Sequence, residues 1–247
     1  MSEQPVIREA ASVILVRPSF DSAAAKAAAP LRMSGQMEVF LLCRHRKASF
    51  MPSSFVFPGG TADPGETDPR VTAARELQEE AGVRVDPAAL HYFAHWITPS
   101  IERKRFSARF FLARLPDGQQ PQFDDQETVD QIWVTPEQGL ARAGELRLPP
   151  PQVRTLWDLR EPAARGWEGL VAAAAARAET PYPIMPRMAP LPAGFALLLP
   201  WDPDYQRTGT GDARPMPSGH PLAIGPSRFI LEDGTWKNVA PPSAPPA

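Results

Sequence analysis

Residues 56–83, VFPGGTADPGETDPRVTAARELQEEAGV, constrain this chain more than any other stretch. The apolar run Phe55-Val56-Phe57 reads as the end of a strand, and Pro58-Gly59-Gly60 leads from it into a loop of Gly, Pro and Asp. A helix start follows. Asp68 suits the N-cap and Pro69 the first helical position, and Gly82 suits the stop. At about 100° per residue, Glu76, Glu79 and Glu80 fall on one face, opposite a buried stripe of Ala73, Ala74, Leu77 and Ala81.

Carboxylates crowded into one helical turn repel, like-charge pairs at i,i+4 costing roughly 0.2–0.5 kcal/mol. A face that served only solubility would mix in Lys. A divalent cation removes the conflict, and all-oxygen ligands suit Mg²⁺ or Mn²⁺. Arg75, one turn before Glu79, is placed to hold that carboxylate. A solvated acidic face explains an isolated Glu-Glu pair better. Here the glycine loop and the helix-start signals accompany the cluster, which favours metal.

The stretch resembles the signature of the Nudix hydrolases, G-x5-E-x7-R-E-U-x-E-E-x-G-U, where U is a bulky apolar residue. The matching positions are Gly60, Glu66, Arg75, Glu76, Leu77, Glu79, Glu80, Gly82 and Val83. Eight residues, 67–74, separate Glu66 from Arg75 where the pattern has seven, and Asp68-Pro69 places the extra one in the loop. The resemblance implies an α+β fold, the family's α/β/α sandwich around a mixed sheet. It also implies metal binding by Glu76, Glu79 and Glu80 with the carbonyl of Gly60.

At 247 residues the chain can bury a full core, and its net charge of −2 offers no bulk attraction to nucleic acid or to an anionic membrane. A single cysteine, Cys43, excludes an internal disulfide and fits a reducing, cytoplasmic setting. It sits in an apolar run and reads as a small hydrophobe. Residues 1–9 lack the blocks of a signal peptide, and no apolar run approaches the ~20 residues of a membrane helix.

Residues 10–17, 38–44, 91–98, 105–115 and 129–134 read as strands from their apolar, β-branched and aromatic content. The Ala-rich patch around 23–29 reads as a loop, and Thr135 as the cap of a further helix. Strands, then a helix, more strands and a second helix agree with α+β. Residues 1–148 form the expected catalytic domain. Residues 149–247 form a proline-rich extension that either wraps it or contributes to a homodimer interface. In that extension 151–160 and 163–179 read as helices, and 228–238 as a hairpin around Asp233-Gly234.

Flanking pieces are similar to the mammalian peroxisomal coenzyme A diphosphatase branch of the family. They include Phe50-Met51-Pro52, Trp96-Ile97-Thr98-Pro99, Arg105-Phe106 with Phe110-Phe111, and Pro149-Pro150-Pro151-Gln152. That resemblance implies coenzyme A or an acyl-CoA as the small-molecule substrate. A diphosphate also needs cations, and Arg44, Arg46, Arg103, Lys104, Arg105 and Arg109 are the candidates, Arg being suited to forked pairing with phosphate. With the helix carboxylates and Arg75, Glu127 in the acidic loop Asp124-Asp125-Gln126-Glu127 completes the expected catalytic set as the proton acceptor. Nothing in the sequence pairs His45, His91 or His95 with a Cys or Ser, and they read as ordinary packed or surface histidines. ADP-ribose, a dinucleotide or another nucleoside diphosphate derivative remains an alternative substrate. A binding module without turnover is the reading from a different class.

Overall fold

The computed structural model describes residues 6–20, 33–48, 51–192 and 194–241. The Ala-rich patch at 23–29 and Phe50 lie outside them.

The organising strand is β1 (Ile7–Phe20). Its alternation sends Ala11, Val13 and Leu15 to one face and Ile14 and Val16 to the other. Around it lie β2 (Met33–Arg44), β3 (Phe55–Val56), β4 (Gly59–Thr61), β5 (His91–Ile97), β6 (Arg105–Arg114), β7 (Thr128–Val134) and β8 (Pro183–Ile184). The sheet order is β3-β2-β1-β6-β5-β8, with β7 also paired to β2 and β4 to the start of β1. Because β1 runs parallel to β6 and antiparallel to β2 and β4, the sheet is mixed.

Helices cover both faces. α1 (Pro69–Ala81) lays Ala73, Leu77 and Ala81 on Phe40, Leu42 and Phe111. After the short α2 (Pro136–Ala141), α3 (Pro150–Ala164) and α4 (Gly166–Glu179) bring Leu156, Leu159, Leu170 and Ala174 to the core that holds Leu41, Phe93 and Leu112. This is the α/β/α sandwich that the sequence implies. A second, antiparallel sheet follows the order β12-β11-β10-β9, built from β9 (Arg187–Pro190), β10 (Phe195–Leu198), β11 (Arg228–Glu232) and β12 (Thr235–Val239).

The local signals hold where side chains make them. Asp68 accepts the Arg70 N–H and Gly82 closes α1 in the left-handed region at φ 67. Thr135 and Gln138 form a reciprocal capping box on α2. Asp233 and Gly234, at φ 49 and 73, make the paired left-handed turn of the β11–β12 hairpin.

Several boundaries differ from expectation. The helix read over 163–179 starts at Gly166, because α3 runs on to Ala164 and Gly166, at φ 72, turns the chain between them. The alanine run hid that break, since alanine favours helix on either side of it. β1 and β2 also run beyond 10–17 and 38–44, because they pair with each other out to Phe20 and Met33 and β1 pairs with β6 from Ile7. No helix among the described residues is long and apolar enough to cross a membrane.

Candidate active site

The carboxylates on α1 are not equivalent. Glu79 keeps 59% of its side chain in solvent, whereas Glu76 keeps 14% and Glu80, as a whole residue, only 5%. One helical turn therefore runs from water into the protein. Glu80 accepts the Gly59 N–H at 2.8 Å, which ties α1 to the glycine loop. Burial pushes the Glu80 carboxyl up to about 7, the Gly59 bond opposes the shift, and Glu76 and Glu127 add to it. Burial raises Glu76 too, against the pull of Arg75.

Arg75 organises the cluster. Its guanidinium donates to both oxygens of Glu66 (2.9 and 3.2 Å), to Glu76 (3.0 Å), to Glu79 (2.8 Å) and to the Thr61 carbonyl (2.9 Å). Those bonds, together with the Asp63 N–H and the Thr72 hydroxyl, hold the Glu66 carboxyl down to about 2. The longer loop after Glu66 thus leaves its contact with Arg75 intact, and α1 is regular from Pro69. A Cβ at Gly60 would occupy the place of the Glu76 carboxylate, so glycine there lets that carboxylate lie against the loop.

These residues open into a cavity of about 830 Å³. Glu76, Glu79 and Glu127 line it together with Gly59, Gly60, Arg44, Arg103, Lys104 and Arg105. The Arg44 Nε is buried without a hydrogen-bond partner among the described residues. Arg46 and Arg109 lie elsewhere. Arg46 is exposed beyond β2. Arg109 points to the α1 side of β6, where it pairs with Glu9 at 2.5 Å. Strand alternation sets Arg109 apart from Phe106, Ala108 and Phe110, which take the cavity face of β6. Arg105 shares Arg109's side by that count and reaches the cavity as the first residue of the strand, where it is buried and donates to the Thr98 carbonyl.

Glu127 is exposed at the cavity, on a loop that Asp124 orders by accepting from the backbone N–H groups of Gln126, Glu127 and Thr128 and from the Thr128 hydroxyl. Neither Asp125 nor Asp130 lines the cavity. The histidines are packed outside it, His95 against the Ser107 hydroxyl at 2.9 Å and His91 edge-on to Trp167. Burial pushes the Cys43 thiol up, as suits an inert hydrophobe.

The donor set fits a hard divalent cation. Its side chains are all carboxylates, the oxygen ligands such an ion prefers, and burial first, then neighbouring carboxylates, raises the carboxyls of Glu76 and Glu80. Among the described residues no group of His, Cys, Asp or Glu is close enough to chelate as it stands. The guanidinium of Arg75 bridges Glu76 and Glu79, and Glu80 is turned to Gly59.

A family model, the NUDIX domain, matches residues 23–155, more than half of the chain and including all of these acidic side chains. The chain belongs to the Nudix domain family. A Caenorhabditis elegans protein named as nudix hydrolase 7 is 30% identical over 174 residues, 50% of this chain. The match spans 58% of that relative's length. Among solved structures, a NUDIX hydrolase from Alicyclobacillus acidocaldarius superposes with a TM-score of 0.56 at 22% identity, over 69% of this chain and 97% of the other. That likeness establishes the Nudix fold. Much of the opposite cavity wall has no counterpart in the signature. Met188, Phe195, Leu197 and Trp236 come from the second sheet and Gln152 from α3. Short-range pattern could not have gathered them, although Gln152 stands in the Pro149-Pro150-Pro151-Gln152 run.

Proposed function

We propose that this Nudix protein is a hydrolase that cleaves the diphosphate bond of a nucleoside diphosphate joined to another group, with Mg²⁺ or Mn²⁺. Coenzyme A or an acyl-CoA is the leading substrate. The observation that carries this reading is one cavity with Glu76, Glu79 and Glu127 on one side and Arg44, Arg103, Lys104 and Arg105 around it. Its volume of about 830 Å³ suits an extended ligand.

Glu76, Glu79, Glu80 and the Gly60 carbonyl would hold the cation. When bound, it supplies charge neutralisation and water activation. The protein's own residues do the rest. Arg75 fixes Glu66, Glu76 and Glu79 in one hydrogen-bonded array, so the donors are positioned before substrate arrives. Arg44 and Arg105 orient phosphate oxygens and oppose the charge that grows on them. Glu127 takes the proton of the attacking water at its carboxylate.

The test is a panel of coenzyme A, acetyl-CoA, ADP-ribose and dinucleotides, with Mg²⁺ or with EDTA and mass identification of both products. Coenzyme A should give 3′,5′-ADP and 4′-phosphopantetheine, with Mg²⁺ only. Turnover of none of them would sink the enzyme reading in favour of a binding module. Faster cleavage of ADP-ribose or a dinucleotide would move the assignment to that substituent.

A further inference from the structure

The second sheet turns one face to its own small core and the other to the cavity. On β10, Ala196 and Leu198 pack with Ala189 and Tyr205, while Phe195 and Leu197 point the opposite way. Leu197 stands across from Met188 on β9, and Trp236 of β12 meets the Phe195 ring edge-on, at 5.9 Å and 62°. Among the described cavity-lining residues beyond 148, Gln152 is the one with a polar side chain. It is 7% exposed, and its amide oxygen is buried with no hydrogen-bond partner among the described residues. A buried acceptor without a donor is costly, and a ligand N–H removes the cost.

We propose that Gln152 and this face of the second sheet form the subsite for the arm attached to the diphosphate, and that the arm is an uncharged, mostly apolar chain bearing amide groups. The inference rests on the diphosphate hydrolase reading above. A sugar arm brings several hydroxyls, and one amide cannot satisfy them on an otherwise apolar wall. A nucleobase wants a flat platform, but Phe195 and Trp236 are tilted edge to face and Met188 and Leu197 are flexible aliphatics that mould to a chain. The cations that line the cavity, Arg8, Arg44, Arg103, Lys104 and Arg105, all come from residues before 148, leaving this wall neutral.

The test uses two probes without an anhydride bond, so hydrolysis does not enter: pantetheine, which carries two amides and no phosphate, and AMP. Each is titrated by NMR into the full chain, wild type and Gln152→Leu, at millimolar concentrations. Gln152→Leu should weaken pantetheine about five- to ten-fold and leave AMP within about two-fold. Leu197→Ala should weaken pantetheine as well. The Gln152→Leu fold is secured by a melting temperature no lower than wild type, because the change removes an unpartnered buried acceptor. Loss of AMP with pantetheine unchanged would make this a base subsite and overturn the proposal. So would equal loss of both, or no pantetheine binding to the wild type. The substrate panel stands apart. Failed turnover with intact pantetheine binding would overturn the hydrolase reading alone, and turnover without pantetheine binding would overturn this subsite alone.

Discussion

Glu80 shows how one residue can favour function over stability. Its carboxyl, raised to about 7 by burial, is protonated in the metal-free fold under conditions where the unfolded chain has already ionised. Stability from this group is therefore complete below the unfolded value of about 4.5 and is lost as pH rises through about 7. Glu80→Gln, neutral throughout, should match wild type near pH 4.5 in EDTA and exceed it at pH 8 by up to about 3 kcal/mol. Thermal unfolding at both values checks this, and an advantage that shrinks with pH would refute the burial argument. With Mg²⁺ the same variant should lose most turnover. Glu127 is the complementary case, exposed at the cavity and so within reach of an attacking water. Glu127→Gln should lower kcat about 10²–10⁴-fold with little change in KM, the contribution of a general base. Asp125→Asn and Asp130→Asn, outside the cavity, should stay near wild type. If an aspartate variant falls instead, the proton acceptor has been misassigned. The acidic cluster was legible because helical period puts carboxylates on one face without help from the rest of the chain. The cations were legible only as residue types, since alternation alone puts Arg105 and Arg109 on one side of β6, and only the position of Arg105 at the start of the strand brings it to the cavity.

At the scale of elements, α1 and the glycine loop act as one part, joined by the Gly59 N–H to Glu80 and by Gly60 against Glu76. Gly60→Ala should leave the fold nearly as stable, because the atoms in its way end a flexible side chain. It should nevertheless cost about 10²-fold in kcat, since small misplacements of a catalytic group have effects of that size. Retained kcat would mean that the Glu76 position is not used in turnover. Deleting Thr67, in the loop, should be milder than deleting Ala73, which turns the preceding helix by about 100° against Glu76, Glu79 and Glu80. Equal losses of melting temperature would show that α1 does not tolerate its loop shortening. Helix starts and the β11–β12 hairpin could be read in advance because cap and turn residues act within a few positions. The break at Gly166 could not, for alanine-rich sequence on both sides suits a continuous helix as well as an interrupted one.

At the scale of the whole molecule, the segment after Pro149 supplies a layer of the sandwich, the edge strand β8 and a wall of the cavity. None of these roles has a local sequence signal, because each depends on contacts with residues far away in the chain. The tie between them is a buried ionic cluster. Arg154 on α3 is almost fully buried between the rings of Trp157 and Trp201, at 4.6 and 4.7 Å, and donates to the carbonyls of Pro226 and Ile224 ahead of β11. Asp158 faces Arg154 at 2.9 Å and Arg177 of α4 at 3.2 Å. The first contact is close without hydrogen-bond alignment, so charge rather than geometry holds it. One carboxylate thus offsets two guanidinium groups taken out of water. Burial lowers the Arg154 pKa, Asp158 opposes that shift, and the nearby Arg177 and Arg160 add to it. Asp158→Ala should cost about 3–5 kcal/mol in urea unfolding, the usual penalty for removing one partner of a buried pair. The variant should also raise KM more than it lowers kcat. Loosening α3 and the approach to β11 disturbs Gln152 and the second-sheet wall, while the Arg75 array belongs to the opposite layer. A stable variant with normal KM would show that the second sheet holds its place without the cluster. A fall in kcat alone would mean that the cluster acts on the carboxylate face.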